Sequence, residues 1–599
     1  MSARRKSPDN RTSEAPALER WWPLVLFAAT LAVYWPSLSN GLTNWDDPEY
    51  VVHNPFAAAG VRGLLDAFTT PFDGAWYPLT QAVYVLLALV GASISTSHLV
   101  QLSLFAVGVA LVPAALHAFG VERRIGVLVA VLWALHPLRV ESVVWLANVK
   151  DALGVTLVIA AFALYGLEKR AASFAVFAAA LLAKSAFFGL GFAFPLLELA
   201  KGTPAVAARR TAPWVVVGVA IAVVAGLLHL SESHRPPGPD LASRVATAVW
   251  TPWWYLGRIA LPFEPRAVYD FNAVGWTDWR VFVALGAWAA LGVVLVRWRL
   301  RRLAVVVGVV VLALAPVGGF IPLRFLVADR YTLLPSLALL AACVTWLSTK
   351  LSKPALNIVV GLAAVPCLAI NVGYQHAWKD EISLWEQTVR ASPEHATVRM
   401  NLASAYGAAG RIVEAREQTA ALLVRRPDDH RVLAQLFWLS AVSERLPPEE
   451  LESRQAALAA ADWSPDAVVE QANWCLSHGF SISAEALLSQ PKAAASAKGL
   501  RMRAAMARRQ QRASEAVELA RQSIAAGETA ATIDLVYALS DANRAEEGLR
   551  ETEKEMPDPF SAALLRGAKA YALSKLGRLD EARAESAAAL EAVQQLSTP

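Results

Sequence analysis

Two adjacent carboxylates in the first polar segment are the plainest candidates for chemistry in this chain. Asp46 and Asp47 stand in the sequence NWDDPEY at 44–50, and His53 follows shortly after. A carboxylate beside aromatic residues could act as a general base or bind a cation. Because Asp-Asp-Pro also begins turns readily, a purely structural turn remains an alternative for the same residues.

A second group of polar residues interrupts an apolar run at 133–151. It contains His136, Arg139 and Glu141, followed by Lys150 and Asp151. Charged side chains in a membrane segment are costly unless they pair, line a cavity or act. The segment therefore predicts either a polar cavity or a self-contained pair of His136 with Glu141.

Two further cations stand at the edges of apolar runs. Lys184 lies between two short apolar stretches, where it could extend to the interface or meet an anionic headgroup. Arg330 follows Asp329 just before another apolar run, and the fork of an arginine is well shaped to bind a phosphate. A local cap formed by Asp329 and Arg330 is the structural alternative.

Membrane helices must position these residues, because the composition of the chain is split. Of its 599 residues 56% are hydrophobic and only 18% are charged, whereas soluble domains carry about 25% charged residues. Apolar runs fill 21–374, after a basic tail at 1–20, while 375–599 reads as Ala-, Glu- and Arg-rich amphipathic helix. We therefore expect an all-α protein, with a multi-pass membrane domain followed by a soluble helical domain.

The basic clusters predict how the chain crosses the membrane, since cytoplasmic loops are rich in Lys and Arg. A topology of about eleven spans makes every basic cluster cytoplasmic, with the apolar stretches 77–95 and 246–262 left uncrossed. The predicted spans are 21–38, 98–118, 125–146, 152–167, 171–183, 186–200, 213–230, 278–296, 303–321, 331–348 and 355–374. This topology puts the N-terminus in the cytoplasm and the C-terminal domain outside. It also gathers the polar segments on the outer face, including an acidic first loop at 39–97.

The C-terminal part contains a recurring helix–turn–helix pattern of the tetratricopeptide (TPR) type. The pattern NLxxxYxxxGRxxEA at 401–415 returns near the end at 571–582, and weaker versions occur at 479–486 and 512–516. The small residue lets two helices approach, and the glycine makes the turn. Because such units bury their faces only against neighbours, we expect a TPR-like α-solenoid whose concave face binds a peptide or protein partner.

These segments together resemble bacterial multi-pass membrane proteins with C-terminal TPR repeats. Such proteins are similar to the eukaryotic transmembrane-and-TPR O-mannosyltransferases, which belong to the GT-C group of glycosyltransferases. The matching segments are NWDDPEYVVHNP at 44–55, YPLT at 77–80, HLVQLSL at 98–104, ALHPLRVESVVWLANVKD at 134–151, LLAKSAFFGLGFAFPLLEL at 181–199, ADRYTLLPSLAL at 328–339 and WKDEISLW at 378–385. The resemblance covers nearly the whole chain.

The resemblance implies a GT-C-like bundle, in a bacterial inner membrane, that uses a polyprenyl-phosphate sugar as donor. Asp46 or Asp47 would accept the proton of the attacking hydroxyl. The expected phosphate ligands are Lys150 and Arg330, with Lys184 and Arg139 in second place. The residues expected to orient the acceptor or the base are His136, Glu141, Asp151 and His53. The sequence leaves open whether a divalent cation assists.

A non-catalytic, membrane-anchored TPR scaffold that assembles or recruits envelope proteins is the alternative. It is favoured by two departures from the family pattern, Asn148 where an arginine is common and Ser185 where a glutamate is common. A transporter is disfavoured, because the chain lacks the repeated halves that transporters often carry. The chain also lacks the basic face with interleaved aromatics that nucleic-acid binding requires, and its three cysteines make no CxxC motif.

Overall fold

The computed structural model of the protein describes residues 21–72, 76–199, 204–231, 239–319, 325–423, 468–469, 472, 481–554, 556 and 559–597. The chain forms two compact units, Met1–Val398 and Arg399–Pro599. The basic tail at 1–20 and the first residues of the weak repeat at 479–486 lie outside the described residues. The first unit thus extends past residue 374, where the sequence predicts the membrane domain to end.

Helices form both units, and no strand occurs in the ranges given above, so the all-α class is confirmed for them. The first unit contains α1 (Trp22–Tyr34), α2 (Pro55–Ala58), α3 (Gly63–Thr69), α4 (Pro78–Leu89), α5 (Ile94–His117), α6 (Arg123–Leu135), α7 (Val140–Val144), α8 (Val149–Gly166), α9 (Arg170–Ala183), α10 (Ala193–Leu199), α11 (Pro204–Ser231), α12 (Leu241–Ala260), α13 (Trp279–Arg297), α14 (Arg301–Leu314), α15 (Leu333–Ser348), α16 (Lys353–Ala377) and α17 (Glu381–Ala391).

Seven helical segments among the described residues are long and apolar enough to cross a membrane. They are Trp22–Ser39, Ile94–His117, Leu146–Gly166, Pro204–Val224, Trp279–Arg297, Asp329–Ser348 and Lys353–Ala377. An eighth is reached if α6 and the bent segment after it form one span. A multi-pass membrane protein is therefore supported, while the full count of eleven and the orientation stay predictions.

The remaining predicted spans are helical but short. Arg170–Ala183 and Ser185–Leu199 are apolar helical segments of fewer than 18 residues, and α14 has 14 residues. The uncrossed stretch 77–95 forms α4, which has only 12 residues. About 20 apolar residues are needed to span the hydrocarbon core, so these segments reach across the membrane only in part if they enter it alone.

The bundle breaks where the polar segment 136–151 enters it. Pro137 cannot continue the α-helical hydrogen bonds of α6, and the helix pair on its two sides is bent by 69°. The backbone then passes through α7 and a second break at Trp145 before α8 begins. These two breaks place carboxylates and amides among apolar helices without forcing them onto a lipid-facing surface.

Paired helices build the second unit, whose boundary at Arg399 falls inside the first of these helices. They are α18 (Ala396–Ala408), α19 (Ile412–Leu423), α20 (Ser481–Leu488), α21 (Pro491–Ala494), α22 (Ala497–Arg509), α23 (Ala513–Ala525), α24 (Ala531–Asp541), α25 (Ala545–Glu551), α26 (Pro559–Lys575) and α27 (Leu579–Ser597). Two apolar clusters lie between them, one centred on Leu519 and Leu539 and the other on Val536 and Leu565. Each cluster draws on three or more helices, so the pairs are stabilised by their neighbours.

The same turn occurs four times among the described residues of this unit. A residue with positive φ ends one helix, and the next residue is an arginine whose backbone N–H donates to the carbonyl five residues earlier over 2.8 to 3.0 Å. The turn residues are Gly410, Gln511, Asn543 and Gly577. Each arginine then pairs with the glutamate three residues later. The sequence pattern marked three of these turns but missed the one at Asn543.

Candidate functional site

The two adjacent aspartates have different surroundings. Asp47 is buried, and its carboxylate accepts hydrogen bonds from the backbone N–H and the hydroxyl of Thr43, at 2.8 and 2.9 Å. Its other oxygen accepts a hydrogen bond of 2.9 Å from the backbone N–H of Ala147. Asp47 thereby connects the first loop to the helix break before α8. This is a structural role, the alternative to catalysis that the sequence left open for this residue.

Burial controls the ionisation of Asp47. Loss of hydration raises the pKa of its carboxyl from 3.8 to about 6, against the opposing effect of the hydrogen bonds from Thr43 and Ala147. The charge of Asp46 adds to the rise. At neutral pH Asp47 is ionised, but its oxygens are already occupied by protein donors. This carboxylate is therefore poorly placed to receive a further proton from a substrate.

Asp46 is the less occupied of the two. Its side chain is half-buried and makes no hydrogen bond or ion pair with any part of the chain that the structure describes. It interacts electrostatically with Lys150 without forming a direct ion pair. A carboxylate with vacant oxygens near a cation has the features that a general base needs, so Asp46 is the better candidate.

Lys150 lies at the centre of a group of cations. Its ammonium donates a 2.8 Å hydrogen bond to the carbonyl of Ala147 and lies 4.4 Å from the ring centre of Tyr50. It interacts electrostatically with Asp46 and Asp151, and also with two other cations. Those cations are Lys184 and Arg330. The structure thus brings the two leading phosphate-binding candidates, Lys150 and Arg330, into one electrostatic cluster with Asp46 and the second-place candidate Lys184.

Two buried ion pairs hold the other cations of the cluster. Lys184 pairs with Asp151, whose second oxygen accepts a 3.3 Å hydrogen bond from Ser142. Arg330 pairs with Glu141, which also accepts the backbone N–H of Arg330 at 3.0 Å. Glu141 therefore has Arg330 as its partner, and the alternative of a self-contained pair of His136 with Glu141 is wrong.

Arg139 contacts the segment that carries Arg330. It is completely buried and donates to the hydroxyl of Thr332, while its Nε and Nη1 make no hydrogen bond within the described residues. It interacts electrostatically with Asp329, which accepts a 2.7 Å hydrogen bond from the hydroxyl of Tyr269. Burial raises the pKa of Tyr269 well above 10, so this phenol remains a donor at neutral pH.

The two histidines expected to orient the acceptor or the base, His136 and His53, form no ion pair with the charged cluster within the described residues. His136 is buried, and its Nε2 lies 3.0 Å from the carbonyl of Ile259 at the end of α12. It therefore links the Pro137 break to α12. His53 is exposed on the first loop. Neither the contact of His136 nor the exposed position of His53 indicates that these residues hold Asp46.

Aromatic side chains that the sequence did not mark form one wall of the site. Trp45 stacks on Trp145 with ring centres 4.5 Å apart, and the guanidinium of Arg330 lies within 6 Å of both rings. Trp385 is 5.4 Å from Trp45, and Trp378 is 5.7 Å from Trp145. The four indoles come from three distant parts of the chain, so only the fold reveals the cluster.

Comparison with known proteins adds no identification. No protein-family model matches the chain, and no curated protein matches it. Within the described residues, no group of three or more His, Cys, Asp or Glu side chains is placed to hold a metal ion. The charged cluster around Lys150 is therefore the feature of the chain that points to a function.

Proposed function

We propose that the protein is a membrane glycosyltransferase that moves a sugar from a polyprenyl-phosphate donor to a protein or glycan acceptor on the outer face of the membrane. The observation that carries the proposal is the vacant carboxylate of Asp46 beside Lys150, in a cluster where Asp47, Glu141 and Asp151 are already bonded. A group transfer from a lipid phosphate requires a base and a cationic phosphate site close together, at the membrane surface.

In this mechanism the acceptor hydroxyl attacks the anomeric carbon, and its proton passes to Asp46. The bond between that carbon and the phosphate oxygen breaks, and its electron pair stays on the phosphate. Lys150 would neutralise the charge that develops on the phosphate, assisted by Lys184 and Arg330. Because Lys184 and Arg330 already have acidic partners, each would share its charge with the phosphate rather than exchange partners.

The second unit fits the same proposal as a TPR-like array outside a bacterial inner membrane. Its turns at Asn543 and Gly577 repeat at close to the interval of about 34 residues that is typical of TPR units. Such an array would present a polypeptide acceptor or a partner protein to the enzyme. Fusion of a reporter active only outside the cytoplasm after Thr43, Thr203 and Pro599 tests this topology, with signal expected at the first and last positions only.

The activity is tested with purified protein in lipid vesicles and a radiolabelled polyprenyl-phosphate sugar. We expect Asp46→Asn to lower transfer by about 10²–10⁴-fold, the usual contribution of a general base, without weakening the binding of the lipid donor. Glu49→Gln, which changes an exposed acid of the same loop, is the matched control and should retain transfer. Normal transfer by the Asp46→Asn, Asp47→Asn double variant would exclude a carboxylate mechanism.

A membrane-anchored scaffold is the second candidate, and the two buried ion pairs favour it. They neutralise Lys184 and Arg330 within the protein, as expected if these cations only stabilise the bundle. A scaffold would tolerate Asp46→Asn and Lys150→Ala without any change in the amount of envelope protein that co-purifies. An enzyme would lose product with either variant, so the same pair of variants separates the two functions.

A further inference from the structure

Helix α17 contacts two separate loops that hold the charged cluster. The sequence assigns this helix to the soluble domain, but it belongs to the first compact unit. Its start is fixed by Asp380, which accepts a 2.8 Å hydrogen bond from the backbone N–H of Ser383. The N-terminal half of α17 contacts the first loop, and the C-terminal end of α17 contacts the loop after α12.

The contacts with the first loop centre on Trp385. Its indole N–H donates a 2.6 Å hydrogen bond to the side-chain oxygen of Asn44, and its ring packs on Trp45. Trp385 has no exposed surface. Just before the helix, the carbonyl of Lys379 accepts a 2.8 Å hydrogen bond from the backbone N–H of Gly41. The two residues that immediately precede Asp46 are thus both held by Trp385.

The contacts with the second loop reach the residue next to Tyr269. The hydroxyl of Ser392 donates a 3.0 Å hydrogen bond to the carbonyl of Val268, and Gln387 donates one of 3.3 Å to the carbonyl of Pro265. Arg266 donates to the carbonyl of Ala391. Because Tyr269 bonds Asp329 over 2.7 Å, this end of α17 supports the segment that carries Arg330.

We infer that α17 is a positioning element of the membrane site, and that Trp385 is the positioning residue through which it holds Asp46. One rigid helix fixes the loop of the vacant carboxylate at one end and the loop behind Arg330 at the other. Within the described residues the side chain of Asp46 has no bond to keep it in place, so its position depends on its backbone. Asn44 and Trp45 anchor that backbone on one side, and Asp47 anchors it on the other. The inference rests on the proposed function only in regarding Asp46 as the base.

The test measures how often the first loop opens in the full-length protein. Asp46→Cys is introduced after the native Cys343, Cys367 and Cys475 have been replaced by alanine, and the rate of its modification by a bulky maleimide is measured in detergent. His53→Cys, on the exposed part of the same loop, serves as the reference position. We expect Trp385→Phe, which keeps the ring but loses the N–H, to raise the rate at position 46 about fivefold, as befits loss of one buried hydrogen bond.

The coupling between the two partners provides the specific check. Asn44→Ala should raise the rate at position 46 by the same factor, and the double variant with Trp385→Phe should raise it no further. Trp346→Phe changes an exposed tryptophan of α15 and should have no effect. An unchanged rate in Trp385→Phe, a multiplicative double variant, or an equal rise at position 53 would overturn the inference.

Activity separates this inference from the proposed function. With Asp46 intact, Trp385→Phe should lower kcat several-fold and leave the KM for the lipid donor unchanged, because the base is displaced while the cations stay. If the labelling rates change as expected but neither the parent protein nor any variant transfers sugar, the positioning role of Trp385 stands and the transferase proposal fails. If transfer is found and the labelling rates do not respond, the transferase stands and the role of Trp385 falls.

Discussion

Two ion pairs, one from each unit, differ in burial and in the segments that they join. In the first unit the side chain of Glu141 is fully buried and that of Arg330, which carries the guanidinium, is 12% exposed. This pair joins segments far apart in the sequence. In the second unit Arg578 and Glu581 are 48% and 57% exposed and lie three residues apart. The first pair belongs to one site, whereas the second is one copy of a recurring turn.

This difference in burial predicts how strongly each ion pair contributes to the stability of the fold. A buried charge has lost its hydration, so removal of its partner leaves a large uncompensated cost. When one partner of an exposed pair is removed, water solvates the other, and salt already weakens the attraction between them. We therefore expect the buried pairs of the first unit to respond strongly to single charge changes, while the turns of the second unit depend on backbone geometry and apolar packing.

The strongest test of this contrast is Glu141→Gln. Arg330 would remain buried without a charged partner, and we expect the free energy of unfolding to fall by about 3–5 kcal/mol. Thermal unfolding in detergent measures the change. The double variant with Arg330→Gln should recover much of the loss, since both charges are then absent. A single variant as stable as the parent would place this pair in water rather than in the bundle.

Asp47 gives a second test through pH. Because its pKa is raised in the folded state to about 6, the protonated form favours folding, and this contribution is present below pH 3.8 and lost as pH rises through 6. Relative to Asp47→Asn, the parent should lose about 3 kcal/mol of unfolding free energy between those limits. Chemical unfolding at four pH values measures the difference. A difference that stays constant would mean that Asp47 titrates normally.

In the second unit the turn geometry should matter more than the turn charge. Gly577 has φ of 77°, where a side chain costs about 1–2 kcal/mol, so Gly577→Ala should lower the thermal midpoint of this unit. Asn543→Gly is the matched opposite change, at φ of 58°, and should raise it slightly. Equal effects of the two variants would show that left-handed strain does not control these turns.

The smallest effect is expected for Arg578→Ala. The side chain is half exposed and its partner Glu581 more so, so unfolding should be unchanged within the error of the measurement and insensitive to salt. Far-ultraviolet circular dichroism during heating provides the measurement. A clear loss of stability would contradict the division between the two units and give the recurring Arg–Glu pair a structural role.

Several features of the site follow from residue type alone. The sequence marked Asp46, Lys150, Lys184 and Arg330, and the structure brings them into one cluster. It could not tell Asp46 from Asp47, because they are adjacent and chemically identical. What distinguishes them is the backbone N–H of Ala147, which reaches Asp47 from 100 residues away.

Hydropathy and local backbone preference were enough to predict the apolar helices, the all-α class and most of the repeated turns from the order of the residues. Even there, asparagine replaced glycine at position 543, because a short polar side chain also tolerates positive φ. The pairing of Glu141 with Arg330 rather than with His136, and the contacts of α17 with the first loop, became evident only from the fold. These outcomes depend on which distant groups are buried together, and the cost of burying an unpaired polar group is fixed by packing rather than by sequence order.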